Sequence, residues 1–554
     1  MVYHIMFKST IMKKIIAMLS LVASFAACSK QEVIGPEVTP EGKQIITARV
    51  LNPKTKLAYS ENVAGGGSGM SSIWEVGDSF NAIQKTGDDV VVVTFELYSG
   101  EGTSSATFKA ETEGVTAETV WTAVLGNNAY LGTDELNCSY KGQNGTVEGL
   151  YDYNYVLSTG SGMSPEFDFS SGSNLSYIMR LKLPSGIKSI EYTPSAYWKV
   201  TPSGATRKYY DTDKYNESDT HTYAAFEPIN TSTITLDTPS SSGDIVYIAV
   251  PAIDYSESGV VYNAGKQKGN IRCGVVVTIL NDTSDNATAS NGAVLGADVS
   301  SKGGQIATFD MSGWSLIPRP KPSDAILLED AKAQNITNAS LKQKVPASTM
   351  KTYWAPFNIG AGSATEVGDY FAFGEVNGGK TDYTFVTYSL RHNPSGEFYN
   401  DFISARRYVD GGTTSFLTIA GSRYDAARVK WGIAWRMPHL AECRALWDGN
   451  NSYDINATIS GVNGMKITNN ATSEYVFLPK PDKSKQEYLT GEDSSTFAYI
   501  WVADKPQRNQ GDTGWNSAFT VGTKKNDLYN DMRLLEYSGI PVRPVLSSSV
   551  TNFE

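Results

Sequence analysis

Tyr177-Ile178-Met179-Arg180-Leu181-Lys182-Leu183 sets Met179, Leu181 and Leu183 on one face and Ile178, Arg180 and Lys182 on the other. That two-residue period belongs to a β-strand with one face turned to a core. The same signal recurs outward from it in both directions. Upstream lie Ile45 to Leu51, Phe80-Asn81-Ala82-Ile83, the Val-rich run Asp89 to Tyr98, Thr107-Phe108-Lys109 and Val120 to Leu125. Downstream lie Ile245 to Ala252 and Val275 to Leu280. Gly-, Ser- and Asn-rich turns separate these runs, and 50 Gly and 31 Tyr dilute the helix formers. Short strands at this spacing predict β-sandwiches, one over residues 45–172 and a second over 173–312. A chain of 554 residues is too long for one hydrophobic core, which agrees with several domains.

Pro318-Arg319-Pro320-Lys321-Pro322 interrupts the series and predicts an extended, semi-rigid linker over residues 313–345. The text beyond, residues 346–548, has a different character, with Trp354, Trp431, Trp435, Trp447, Trp501 and Trp515. Helices are predicted from Arg423 to Lys430 and from Pro438 to Trp447, the second with Pro438 in its first turn. The expected fold class is mainly β: two sandwiches followed by an α+β domain.

Near the amino end, Lys13-Lys14 precedes a short apolar run, Ile15 to Ala27. The run is shorter than the roughly 20 residues a spanning helix needs, and it reads as a signal peptide over residues 1–27. Met1 and Met12 both remain open as initiators. Phe25-Ala26-Ala27-Cys28 resembles a lipobox, in which the cysteine is acylated and becomes the new amino terminus. The expectation is an exported lipoprotein held in the outer membrane through Cys28, with residues 28–44 as its tether. A formal charge of -11 excludes a basic nucleic-acid footprint. Cys138, Cys273 and Cys443 show no CxxC spacing, so metal and redox motifs are absent, and a Cys138–Cys273 pair stays open.

Trp74-Glu75-Val76-Gly77-Asp78 resembles the W-x-x-G-D turn of the fimbrillin family, the pilus subunits of Bacteroidales-type bacteria. Val250-Pro251, closing the 245–252 strand, is similar to the second domain of that family, while Lys54-Thr55-Lys56 departs from its Thr-Arg-Thr-like element. The resemblance implies two transthyretin-like β-sandwiches over about residues 45–312. It also implies cleavage after an arginine near the first strand, and assembly with other pilus subunits by insertion of a donor strand into the groove so opened. Arg49 is the only arginine before Arg180 and is the candidate processing site; the alternative is a surface arginine in an ordinary edge strand.

Residues 352–361 (Thr352-Tyr353-Trp354-Ala355-Pro356-Phe357-Asn358-Ile359-Gly360-Ala361), Gly368 to Glu375, Tyr424-Asp425-Ala426-Ala427, Trp435-Arg436-Met437-Pro438 and Val542-Arg543-Pro544-Val545 resemble the Fibrobacter succinogenes major paralogous domain, within the C-type-lectin-like fold. Cys443 departs from its usual residue. Ligands of such folds are held by late loops, which makes Tyr529, Asn530 and Asp531, with the aromatic platforms Trp501 and Trp515, the candidate ligand-binding residues. Asn530 and Asp531 offer the hard oxygens Ca²⁺ takes, and no other cofactor is indicated. Trp354, Trp431 and Trp435 are expected in the core, and Arg436 and Arg543 in framework ion pairs.

Enzymatic chemistry finds little support. The histidines after Cys28 are His221, His392 and His439, none in a nucleophile motif. Cys443, on an apolar helical face, is expected in a core rather than in oxidase chemistry. The expected function is therefore a minor pilus subunit, at the tip, with an adhesin-like terminal domain for a surface glycan or protein. Only Leu546 to Glu554 follow that domain, which leaves no evident strand to donate. The alternative is a monomeric surface glycan-binding lipoprotein serving nutrient capture.

Overall fold

The computed structural model describes most of residues 37–547; residues 1–36, 52–59, 62–69, 210–230, 253–259, 332–349, 391–406, 483–499, 507–516, 519–533 and 548–554, with shorter gaps between, lie outside the described residues. The protein is mainly β, as its alternation predicts.

The amino-terminal unit is a nine-stranded sheet, eight strands in one hydrogen-bonded path and a ninth off it. Gln44–Leu51 pairs with Ala106–Thr112, and the path continues through Asp89–Ser99, Ser79–Thr86, Val120–Leu125 and Val156–Ser161. The chain then turns at Gly162 (φ 75°), and Glu166–Asp168 returns to pair in parallel with Gln44–Leu51. The strands enclose an aromatic core. Phe80 stacks on Phe95 at 5.1 Å and meets Phe108 and Phe167 edge-on, the offset geometries that ring quadrupoles favour.

The Trp74–Asp78 segment is a turn, and its residue types follow from its geometry. Gly77 takes φ 91°, where a Cβ is strained. The Asp78 carboxylate accepts the Glu75 backbone N–H at 2.5 Å, and the Asp78 N–H donates to the Glu75 carbonyl at 3.1 Å. The closed turn drives Trp74, fully buried, edge-on against Phe108 at 4.8 Å.

The next unit is a sandwich of two sheets. Ser176–Lys182 lies between Ile245–Pro251 and Ile306–Asp310 in one sheet. The other runs Ser232–Thr235, Ser189–Thr193, Val275–Leu280, Ala289–Leu295 and Ile317–Pro318. Met179, Leu181 and Leu183 enter the core between them, facing Ile190, Val277 and Ile279, while Ile178 joins the aromatic core of the preceding unit.

Residue 173 is not a clean divide in space. Ser173–Asn174 extends the first sheet, and the hairpin Ala196–Thr201/Gly204–Tyr209 pairs onto Leu136–Cys138. The Gln143 side chain donates to the Ala249 carbonyl at 2.8 Å and accepts from the Ala249 N–H at 2.7 Å, acting as a strand partner from across the boundary. Cys138 is a free, fully buried thiol; Cys273 lies outside the described residues.

The spacer expected over residues 313–345 is corrected at its start. Ile317–Pro318 is the edge strand of the five-stranded sheet, where a missing proline N–H costs no ladder bond. Ile326–Ala331 pairs with Met350–Trp354 in the carboxyl-terminal unit. There, four strands run Ile326–Ala331, Met350–Trp354, Val545–Leu546 and Trp435–Arg436. Helix α1, Ala426–Trp431, is shorter than the helix expected from Arg423 and starts on the Asp425 cap. The second helix begins later than expected. The His439 carbonyl accepts the Cys443 N–H and the Glu442 side chain reaches back to the His439 N–H, which puts His439 at the cap and Pro438 before it.

Candidate functional site

Within Gln44–Leu51, Ile46, Ala48 and Val50 point inward and are fully buried, whereas Thr47 and Arg49 point outward. The strand is not an edge strand. Ala106–Thr112 pairs with Gln44 to Val50 on one side, while Glu37–Val38 and Glu166–Asp168 pair with its two ends on the other. The Gln44 side chain pins its beginning, accepting the Val115 N–H at 2.7 Å and donating to the Val115 carbonyl at 3.2 Å. Lifting the strand out would open a slot between Ala106–Thr112 and Glu166–Asp168, floored by the aromatic core that includes Phe108 and Phe167.

Arg49 is accessible by its side chain and held by its backbone. The guanidinium side chain is 66% exposed and lies 4.0 Å from Glu166, a surface pairing worth little in water. The Arg49 N–H donates to the Pro165 carbonyl at 3.0 Å, and its neighbours pair on both sides. A protease that needs an extended free backbone would reach this bond only after Glu166–Asp168 releases it.

Of the expected ligand-binding residues, Trp501 is corrected. It is fully buried, its indole N–H donates to the Phe371 carbonyl at 2.6 Å, and its ring meets Phe373 edge-on at 5.6 Å. It sits in the apolar run Ile500-Trp501-Val502-Ala503 and packs the core instead of facing a sugar. Trp515, Tyr529, Asn530 and Asp531 lie outside the described residues, as does Cys28. Among the described residues no group of three or more His, Cys, Asp or Glu side chains is placed to hold a metal ion.

The three framework tryptophans and Arg436 stand where the sequence put them. Trp354, Trp431 and Trp435 are fully buried. Arg436 grips Glu442 with both guanidinium nitrogens, at 2.7 and 2.6 Å. Arg543 differs in its partners: among the described residues it meets no carboxylate, and its guanidinium donates to Asn358 Oδ1 at 2.6 Å and to the carbonyls of Ala355 and Phe477 at 3.1 and 2.7 Å. Burial without a counter-charge pushes its pKa down to about 9. Neither arginine is available to a ligand.

A second polar site, which sequence reading missed, lies where the five-stranded sheet meets α1. Arg319 is buried there, its Nε donating to the Trp431 carbonyl at 2.7 Å and its Nη1 and Nη2 to the carbonyls of Ala287 and Ser284 at 2.8 and 2.7 Å. Burial pushes its pKa down to about 10. The sole sequence signal was an arginine between two prolines.

No family model matches the chain, and no curated protein matches it. Among solved structures it is similar to a carboxyl-terminally truncated form of the tip fimbrial protein Mfa3 from Porphyromonas gingivalis, at 10% identity, covering 45% of this chain and 81% of that one, with a TM-score of 0.19. A score this low carries over neither the fold nor the role of that protein.

Proposed function

We propose that this chain is a subunit of a surface pilus, exported as a lipoprotein through Cys28 and activated for assembly by removal of its first strand after Arg49. The observation that carries the reading is Gln44–Leu51 itself: a strand with partners on both sides, whose part up to Arg49 carries the fully buried Ile46 and Ala48 and on leaving opens a slot shaped for another strand. Strand addition fills such a slot with main-chain hydrogen bonds and alternate side-chain pockets. The unit at residues 346–548 is then an adhesin-like terminal domain for a surface glycan or protein. Val545–Leu546 lies between Met350–Trp354 and Trp435–Arg436 in that unit's own sheet, which commits this segment locally and suits a subunit at the tip.

The test is the amino terminus of the assembled protein. A start at Val50 is expected; assembled fibres whose subunits begin at Cys28 refute the strand-removal step. The second reading, a monomeric glycan-binding surface lipoprotein, is favoured by the backbone bond that holds Arg49 to Pro165. It predicts an uncut chain, no fibres, and glycan binding by the intact protein.

A further inference from the structure

Helix α1 has six residues, too few to persist alone in water, and its ends are completed by different parts of the chain. The amino end is capped from within its own unit. The buried Asp425 carboxylate accepts the N–H groups of Ala427 and Arg428 at 2.8 and 3.1 Å, and those of Gly421 and Met437 at 2.7 and 2.9 Å.

The carboxyl end is capped by the five-stranded sheet of the preceding sandwich. Thr278 Oγ1 donates to the Val429 carbonyl at 2.9 Å, Ser290 Oγ to the Lys430 carbonyl at 2.8 Å, and Arg319 Nε to the Trp431 carbonyl at 2.7 Å. These carbonyls belong to the group a helix leaves without internal partners, and the cation among the donors also complements the negative end of the helix dipole. Side chains reach back the other way. Arg428 Nη2 donates to Thr193 and Thr231 at 2.7 and 2.9 Å, and Lys430 Nζ to Asn291 Oδ1 and the Gly292 carbonyl at 3.0 and 2.7 Å. Glu191 Oε2 accepts the Ile433 N–H at 2.6 Å and lies 3.7 Å from Arg428 Nη1.

The fit is close enough to dictate glycine. A Cβ on Gly292 would stand 1.9 Å from the Val429 carbonyl oxygen, and one on Gly432 2.5 Å from Glu191 Oε2. The outer face of a free sandwich meets solvent, yet Glu191, Thr278 and Ser290 on this face are fully buried. Val276 packs on Val429 in the same contact, and Val294 and Ile317 pack on the core of the carboxyl-terminal unit.

We propose that this sheet is an obligate cap for α1, so that the second sandwich and the carboxyl-terminal unit form one cooperative body and the helix forms only on a completed sandwich. The inference holds whether or not the chain polymerises. Its consequence is a display checkpoint: a chain with an unfinished second sandwich does not present the native terminal domain.

Hydrogen exchange read by mass spectrometry on the full mature chain tests it, with Thr278→Val removing one cap donor and Gly292→Val wedging the contact apart. Amides of Val429 to Arg436 are expected to exchange at least tenfold faster in T278V and a hundredfold faster in G292V, with Val120–Leu125 unchanged. Wild-type exchange across Val429 to Arg436 in both variants overturns the proposal. Should G292V also lose protection at Val120–Leu125, it has unfolded globally, and T278V with Arg319→Met decides by the same readout.

Discussion

Replacing Ile46 by alanine separates a strand that belongs permanently to its sheet from one that leaves on assembly. Ile46 is fully buried at the middle of Gln44–Leu51, over the aromatic core. The change removes three carbons, about 2.4 kcal/mol at roughly 0.8 kcal/mol each. A residual cavity adds to this, which brings the total to about 3–4 kcal/mol, inside the usual range for such truncations. For a unit of this size each kcal/mol moves the midpoint by roughly 2–4 °C, so the uncut chain should melt about 6–16 °C lower. Urea titration and scanning calorimetry of the uncut protein measure this directly. In assembled material the same substitution should change nothing, because the residue has departed with the strand. A loss below about 1 kcal/mol in the uncut chain would contradict the burial argument. Equal destabilisation of assembled material would show that the strand stays.

Three further outcomes follow from buried groups. Arg436→Met strands the Glu442 carboxylate and should cost about 3–5 kcal/mol in urea unfolding, whereas Arg436→Met combined with Glu442→Leu should recover much of it. Burial raises the Cys138 thiol well above its ordinary pKa, so iodoacetamide should leave it unmodified at pH 8 in the native protein and label it fully in denaturant. Burial pushes the Lys430 ammonium down from 10.5 to about 8, so the folded state releases its proton first. The desolvation penalty is therefore complete below about pH 8, and the stability of wild type relative to Lys430→Met should rise between pH 8 and 10.5. A flat difference across that window removes the buried-charge assignment.

Local alternation was readable where one face of a strand is buried and the other is wet, as at Met179, Leu181 and Leu183. Pairing partners far along the chain were not. Gln44–Leu51 could pass for an edge strand because its second partner, Glu166–Asp168, has three residues and no pattern of its own. Prolines 318, 320 and 322 carry the same local signal in a spacer as in an edge strand; the difference is the Thr288 carbonyl, thirty-one positions back, which accepts the Arg319 N–H at 2.9 Å. The burial of Trp501 is legible in its own neighbours. Its neighbours Ile500, Val502 and Ala503 make a continuous apolar run, the mark of a segment buried on every side, and a sugar platform needs one face in water. The candidate loop residues from Trp515 to Asp531 had only family resemblance behind them.

The chemistry of the α1 contact bears on how two units can fold in sequence without aggregating. An apolar docking face would stand exposed on the finished sandwich until the terminal unit arrived, and large exposed apolar patches drive association. Here the waiting face carries Glu191, Thr193, Thr278 and Ser290, side chains that water satisfies until the carbonyls of Val429 and Lys430, the Ile433 N–H and the Arg428 guanidinium replace it. Such an exchange contributes little net stability, because each bond to the helix replaces one to solvent. It contributes selectivity instead: a misplaced helix would leave Glu191 and Arg428 buried without the partners they find across this contact, an error that costs several kcal/mol. The small apolar contact of Val276 with Val429 then suffices to hold a geometry the polar groups have already chosen.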